Sequence, residues 1–327
     1  MHLHGICIDC DHMGLAAVLK RPRGPRHMDF LVLGPLAVIS GSGEPVPVRQ
    51  PQHRAILSVL LLYAGRPCSH AKLIDALWGE KPPQDPVRAL LSHISRIRRE
   101  LRTGDRLETL RSAYRMDPGP GELDLHRFRQ LTFQAQLMLA HGDPERAAAK
   151  LEAALGCWRD PPLADLPSSP EIDADVAQLL EQRRAAETRL IDLMLALGRH
   201  QEVVADLHRI VTERPLDDRS WAQLLLALYR SGRKSEALAA YSKAREAMIR
   251  ILGTEPGREI QRLLVQILAD SEDLALTPPS APAGLRRPRL SREPAATAAG
   301  IPHRGLRAGG ALVTAERWTP AARSGRS

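Results

Sequence analysis

Five residues between Asp85 and Arg102 have types and spacings suited to chemistry with nucleic acid: Arg88, Ser92, Ser95, Arg96 and Arg99. Wound at 3.6 residues per turn they share one side of a helix. Guanidinium groups suit phosphate and the O6/N7 edge of guanine, and a serine hydroxyl bonds either. No carboxylate interrupts this side. Val87, Leu90, Leu91, Ile94, Ile97 and Leu101 recur at spacings of three, four and seven and form the expected packing side. Taken alone, this helix has two readings, a groove-binding surface or the solvated face of an Arg-rich protein.

Overall charge does not decide between them. The 327-residue chain carries +8, but residues 277–327 hold nine arginines against Glu293 and Glu316. Residues 1–27 add four basic against two acidic residues, which leaves the middle close to neutral. An electrostatic footprint must therefore be local. Residues 84–115 supply one, with eight arginines against Asp85, Glu100, Asp105 and Glu108.

The flanking pattern settles the context of the helix. Met28–Ile39 reads as two short strands around Gly34-Pro35, and Val46–Val48 as a third. A helix over Pro51–Ala64 has Ile56, Leu57, Leu60 and Leu61 as its core side and stops at Gly65. Ser69 caps a second helix, Ala71–Trp78, ended by Gly79 and Pro82-Pro83. The Asp85–Arg102 helix follows, then a hairpin over Arg106–Asp117 carrying Arg111, Tyr114 and Arg115. Strands, three helices and a hairpin make a winged helix-turn-helix whose third helix enters a major groove. Arg98 winds toward the apolar stripe and is expected to pack or touch phosphate instead of reading bases.

After Pro118-Gly119-Pro120-Gly121, read as a linker over 118–123, the chain is helical over 124–270. Gly142, Gly198 and Gly232 each separate two apolar helices. The last two lie 34 residues apart, the tetratricopeptide period, and the first two 56 apart, with an insertion at Asp160–Pro170 and a long helix, Ile172–Leu197. Such arrays bury a shared core and present a concave surface. The domain either binds protein segments there or packs on the first domain or on itself. The expected fold is thus mainly α: an α+β winged helix over 28–117, then an all-α helical repeat domain.

These residues carry a resemblance. MDFLVLGPL from Met28, PQHRAILSVLLLYAGRPCS, LIDALWG and HISRIRREL resemble the DNA-binding domain of the Streptomyces antibiotic regulatory protein (SARP) family, which has an OmpR-type winged helix. GDPERAAAKLEAALGCWRDPPLADL and SWAQLLLALYRSGRKSEALAAYSKARE with LGTEPG resemble the bacterial transcriptional activation domain that follows it in that family. Together the likeness covers about three-quarters of the chain, in the family's order. It implies a transcriptional activator of a secondary-metabolite gene cluster that binds promoter direct repeats. By this resemblance the DNA-contacting set is Arg88, Ser92, Ser95, Arg96, Arg99 and Arg102 from the recognition helix, with Arg111, Tyr114 and Arg115 from the wing. Double-stranded DNA, RNA polymerase through its sigma factor or alpha subunit, and a second copy of the chain on DNA are the implied partners. Relatives usually have a polar residue, often Gln, where Leu91 stands; either the site read differs or Leu91 meets a thymine methyl. The alternative from another class is a helical-repeat adaptor whose winged helix contacts protein.

Other chemistry finds no support. GxxxxGKS/T, GxSxG, HExxH and a strand-borne GxGxxG are missing, so no enzyme, cofactor or nucleotide-driven module is expected. His53, His70, His93, His126, His141, His200 and His208 have no metal-site spacing. Cys7-x-x-Cys10 with His2, His4 and His12 reads either as a zinc ligand set or as part of a disordered extension over 1–27. Cys7, Cys10, Cys68 and Cys157 give no disulfide framework, which with the missing signal peptide points to a reduced, cytoplasmic protein. Ala55–Ala64, the longest apolar run, is too short for a membrane span. The Pro/Ala/Arg-rich tail, 271–327, is expected to be disordered, either adding nonspecific DNA affinity or merely solvated. No receiver domain is read ahead of the winged helix, so control by abundance, a ligand or a partner on the repeat domain is expected.

Overall fold

A computed structural model describes residues 27–101, 106–164 and 170–274. The Cys7/Cys10 motif, Arg102 and the tail beyond 274 lie outside the described residues. Strands β1 (Met28–Leu31) and β2 (Ala37–Ser40) form an antiparallel hairpin that pairs Met28 with Ser40 and Leu31 with Ala37. The third strand expected at Val46–Val48 does not form. Only a single bridge joins Ile39 to Pro45, and the Val46 amide donates to the Val38 carbonyl at 2.8 Å. Pro45 and Pro47 have no N–H, so alternate positions of a ladder cannot donate.

Helix α1 (Pro51–Leu62) is buried on every side from Ala55 through Leu62, so its four expected core residues are part of a longer enclosed stretch. Strand β3 (Cys68–Ser69) leads into α2 (His70–Trp78), where the Ser69 hydroxyl accepts from the Lys72 amide at 3.2 Å. Helix α3 (Pro86–Leu101) is capped by Asp85, whose Oδ1 accepts from the Arg88 amide at 3.0 Å. Strands β4 (Leu107–Thr109) and β5 (Ala113–Met116) complete a three-stranded antiparallel sheet in the order β3-β5-β4.

Residues 118–123 are no free linker. The Phe30 amide donates to the Glu122 carbonyl at 2.7 Å, and Leu123 bridges Phe30 in parallel. The Glu122 carboxylate accepts from the Gly119 amide at 2.7 Å and from Arg106 Nη2 at 2.6 Å. Next, Asp124 turns its buried carboxylate on the β1–β2 turn, accepting from the Val32 and Leu33 amides at 2.9 Å each. The same turn meets residues 159–163: the Arg159 amide donates to Leu33 and the Leu163 amide to Gly34. Gly34 has φ +153°, and a Cβ there would lie 3.2 Å from the Arg159 side chain, so only glycine lets the two loops approach.

Among the described residues seven helices follow: α4 (Asp124–Ala140), α5 (Pro144–Leu155), α6 (Pro170–Ala196), α7 (His200–Glu213), α8 (Asp218–Arg230), α9 (Lys234–Leu252) and α10 (Arg258–Leu268). Gly142, Gly198 and Gly232 sit at three of the turns with φ of +73°, +81° and +75°, the left-handed geometry that repeats at each helix pair. Order extends past the expected boundary at 270, because a 3-10 turn, Glu272–Leu274, buries Leu274. Among the described residues the buried side chains form two clusters. One runs from Phe30 through the winged helix, α4 and α5 to Ala186; the other runs from Ile191 to Leu274. Helix α6 contributes to both.

Candidate nucleic-acid interface

Helix α3 is held from beneath by Leu90, Ile94, Ile97 and Leu101, all buried. Its other side is open: Arg88, Ser92, Ser95, Arg96 and Arg99 are all exposed, as their spacing predicts. Arg88, Arg96 and Arg99 have no carboxylate partner among the described residues. Val87 and Leu91 do not join the packing side. They are 43% and 47% exposed, because stepping by four places Val87, Leu91, Ser95 and Arg99 on one outward ridge. The open face therefore combines guanidiniums and hydroxyls with two apolar side chains.

Three struts fix this helix. His53, buried on α1, shares a hydrogen bond of 3.0 Å between its Nδ1 and Glu100 Oε2. His93 packs its ring 5.4 Å from that of His53 and 6.3 Å from Trp78 on α2. Burial, then the His53 and Arg96 charges, lowers the His93 pKa below the ordinary histidine value. Arg98 reaches the wing: its Nε and Nη2 donate to the Leu107 carbonyl at 3.2 and 2.6 Å, and Nη2 donates to Thr109 Oγ1 at 2.7 Å. Arg98 is thus a packing residue that joins α3 to β4, consistent with its position near the apolar stripe.

The wing divides its expected contact residues. Arg111 is exposed at the hairpin tip. Arg115 is partly exposed and donates from Nη2 to Glu108 Oε2 across the hairpin. Tyr114 is 1% exposed, its ring stacked 5.1 Å from His70 and under the Arg98 guanidinium. The pleat explains this: Tyr114 and Met116 share the buried parity of β5 while Arg115 takes the other. Tyr114 is a core residue and leaves the contact set.

A second polar cluster lies where α1 meets α6. The Tyr63 hydroxyl donates to Asp175 Oδ2, and the Lys72 ammonium sits 3.6 Å from the Tyr63 ring centroid. Burial first, and the Asp175 bond second, push the phenol well above its usual range. Residues 112 apart in sequence carry no local signal, so only the three-dimensional arrangement finds this pair. Among the described residues, no group of His, Cys, Asp and Glu is placed to hold a metal, and no helix is long and apolar enough to cross a membrane.

Comparison with known proteins bears on both halves. Residues 43–115 match the family model described as transcriptional regulatory protein, C terminal, and residues 123–268 match the bacterial transcriptional activator domain. The chain is 31% identical over 267 residues to the regulatory protein DnrI of Streptomyces peucetius, covering 78% of this chain and 97% of DnrI. It is 38% identical over 247 residues to the regulatory protein AfsR of Streptomyces griseus, covering 75% of this chain but spanning only 25% of that longer protein. A structure of Mycobacterium tuberculosis EmbR in complex with a low-affinity phosphopeptide aligns with a TM-score of 0.69 at 32% identity, over 75% of this chain and 65% of that one.

Proposed function

This chain belongs to the SARP family of transcriptional regulators, a family of regulators and not of enzymes, and on that premise we propose that it is a sequence-specific DNA-binding activator of a secondary-metabolite gene cluster. The observation that carries the reading is the outward face of α3, where Arg88, Arg96 and Arg99 lack carboxylate partners among the described residues, on a helix braced from three sides. A rigid helix with free guanidiniums suits direct readout, since the contacts form without reorganising their support.

In this reading Arg88, Ser92, Ser95, Arg96 and Arg99 enter the major groove, and Arg102 continues the same basic run. Val87 and Leu91 lie against thymine methyl groups, which gives the departure at Leu91 a role. Arg111 and Arg115 hold the flanking phosphates, Arg115 by exchanging Glu108 for a phosphate oxygen. Two or more copies occupy promoter direct repeats, the repeat domain pairs them, and the same domain helps engage RNA polymerase through its sigma factor or alpha subunit. Family membership and the order of reader and helical array in one chain support that part. Such work belongs in the cytoplasm.

The test is fluorescence anisotropy of the full chain on promoter fragments from its own gene neighbourhood, with an unrelated duplex as control, at two salt concentrations. Affinity for one fragment about a thousandfold above control, falling steeply with salt, is expected. Equal weak binding to every duplex, insensitive to salt, would instead favour an adaptor whose winged helix contacts protein.

A further inference from the structure

Three cavities open along the helical array and run into one another. The first, about 380 Å³, lies between α4 and α6, over a floor of Phe128, Leu151, Ala185 and Ala186. The second, about 780 Å³, lies between α6 and the α7–α8 turn and shares Ala185 and Arg189 with the first. The third, about 330 Å³, lies among α6, α8 and α10 and shares Asp192 and Arg219 with the second. Shared walls make them one trench, lined by the first helix of each successive pair. That is the inner surface of a stacked helical array.

The trench has two chemical characters. At the α4–α6 end its floor is apolar, two alanines between Phe128 and Leu151, and Phe133 stands 59% exposed beside it. The walls at that end are basic, with Arg129 and Arg189 and no carboxylate in the lining; farther along, arginines alternate with Glu181, Asp192, Asp217 and Glu259. Several arginines elsewhere in the array are held by its own carboxylates: Arg199 by Glu202, Arg233 by Glu236, Arg245 by Glu255. Within the trench Arg219 is likewise held by Asp192 at 2.6 Å. Arg129, Arg189 and Arg262, which line it from end to end, have no carboxylate partner among the described residues. Arg129 donates only to Gln182 Oε1, at 3.3 Å. Burial, and then the nearby Arg66 guanidinium, lower its pKa, so a carboxylate placed beside it relieves an unfavourable cation.

We propose that this trench docks an acidic segment of a partner protein, with an aromatic or leucine side chain seated on the Phe128–Ala186 floor beside Phe133 and carboxylates on Arg129 and Arg189. Arg129 and Arg189, with no carboxylate in that part of the lining, select the acid, and the small Ala185 and Ala186 let a peptide backbone approach. A nucleic-acid backbone would satisfy the arginines but leave the apolar floor and Phe133 uncovered. The inference deepens the reading of the array as the partner-binding half and rests on it.

The experiment displays random dodecapeptides on phage against the immobilised full chain, then measures the best synthetic peptide by anisotropy. Enriched sequences are expected to combine Asp or Glu with Phe, Leu or Trp. The double variant Arg129→Glu/Arg189→Glu is expected to bind the peptide at least tenfold more weakly while its affinity for promoter fragments and its thermal midpoint stay unchanged. Failure to enrich any peptide, enriched peptides without acidic residues, equal binding by the variant, or displacement of the peptide by duplex DNA overturns the proposal. Loss of promoter discrimination in the unmodified chain, with peptide binding intact, would sink the DNA-reading proposal alone.

Discussion

Replacing Asp124 by alanine tests whether the reader and the array are one structural unit. The carboxylate accepts the Val32 and Leu33 amides at 2.9 Å, and all three residues are buried. Alanine leaves both N–H groups bare with no space for bulk water. Each buried donor without a partner costs about 1–3 kcal/mol, so the gross loss is about 2–6 kcal/mol. An opposing gain comes from removing a buried charge: burial pushes this carboxyl up, against the pull of the two amide bonds and of Arg159 and Arg127. The expected net loss is therefore near the lower end, about 2–3 kcal/mol. Asparagine keeps one acceptor oxygen but turns an NH2 toward the second amide, so Asp124→Asn should lose about half as much. Guanidinium titration of the full chain at neutral pH, followed by far-ultraviolet circular dichroism, reads the change in midpoint. Amide exchange at Val32 and Leu33 should quicken in parallel. If both variants fall within about 0.5 kcal/mol of the parent, as ordinary surface substitutions do, the junction argument is wrong.

Four further outcomes are expected. Arg96→Ala should cost about 1–3 kcal/mol of discrimination between the cognate fragment and an unrelated duplex, with an unchanged thermal midpoint; retained discrimination at a footprinted site counts against its role. Arg111→Ala should weaken cognate and unrelated duplexes alike and reduce the salt slope by about one unit, which titrations at several salt concentrations measure. Arg98→Ala should lower stability by about 1–2 kcal/mol through its lost bonds to Leu107 and Thr109, a loss that Arg96→Ala does not share. Acidification should destabilise the fold, because burial lowers the pKa of His93, His126, His200 and His208. The unfolded chain then takes up protons first, so stability is full above the ordinary histidine range, about 6.5, and is lost as pH falls through it. A denaturation midpoint higher at pH 5.5 than at pH 7.5 would contradict that sign.

Local chemistry made most of the fold legible. Ser69 caps its helix through its hydroxyl, as its residue type predicts, and the three repeat glycines mark turns that need a left-handed residue. The exposed guanidiniums of α3 followed from period alone. What stayed hidden depends on pairings distant in sequence. Strand β3 is two residues long, too short to show an alternation. Leu91 and Val87 count as apolar in any pattern, and only the packing partners of α3 decide that its buried stripe is Leu90, Ile94, Ile97 and Leu101 without them. Tyr114 looked like a wing contact because three wing residues were taken together; strand parity separates it from Arg115. Asp124 bonds residues some ninety positions away, and the trench needs four helices stacked before its arginines line up.

The unbroken core from Phe30 to Ala186 bears on how such a chain can be inherited. The Pro-Gly stretch at 118–121 looks like a suture where recombination could trade one DNA reader for another. A cut there would separate Asp124 from the amides it caps, Glu122 from Phe30, and Tyr63 from Asp175. A junction that leaves both cores whole lies instead beyond Ala186, so the winged helix shares its inheritance with α4, α5 and the first half of α6, and with the Phe128–Ala186 floor they build.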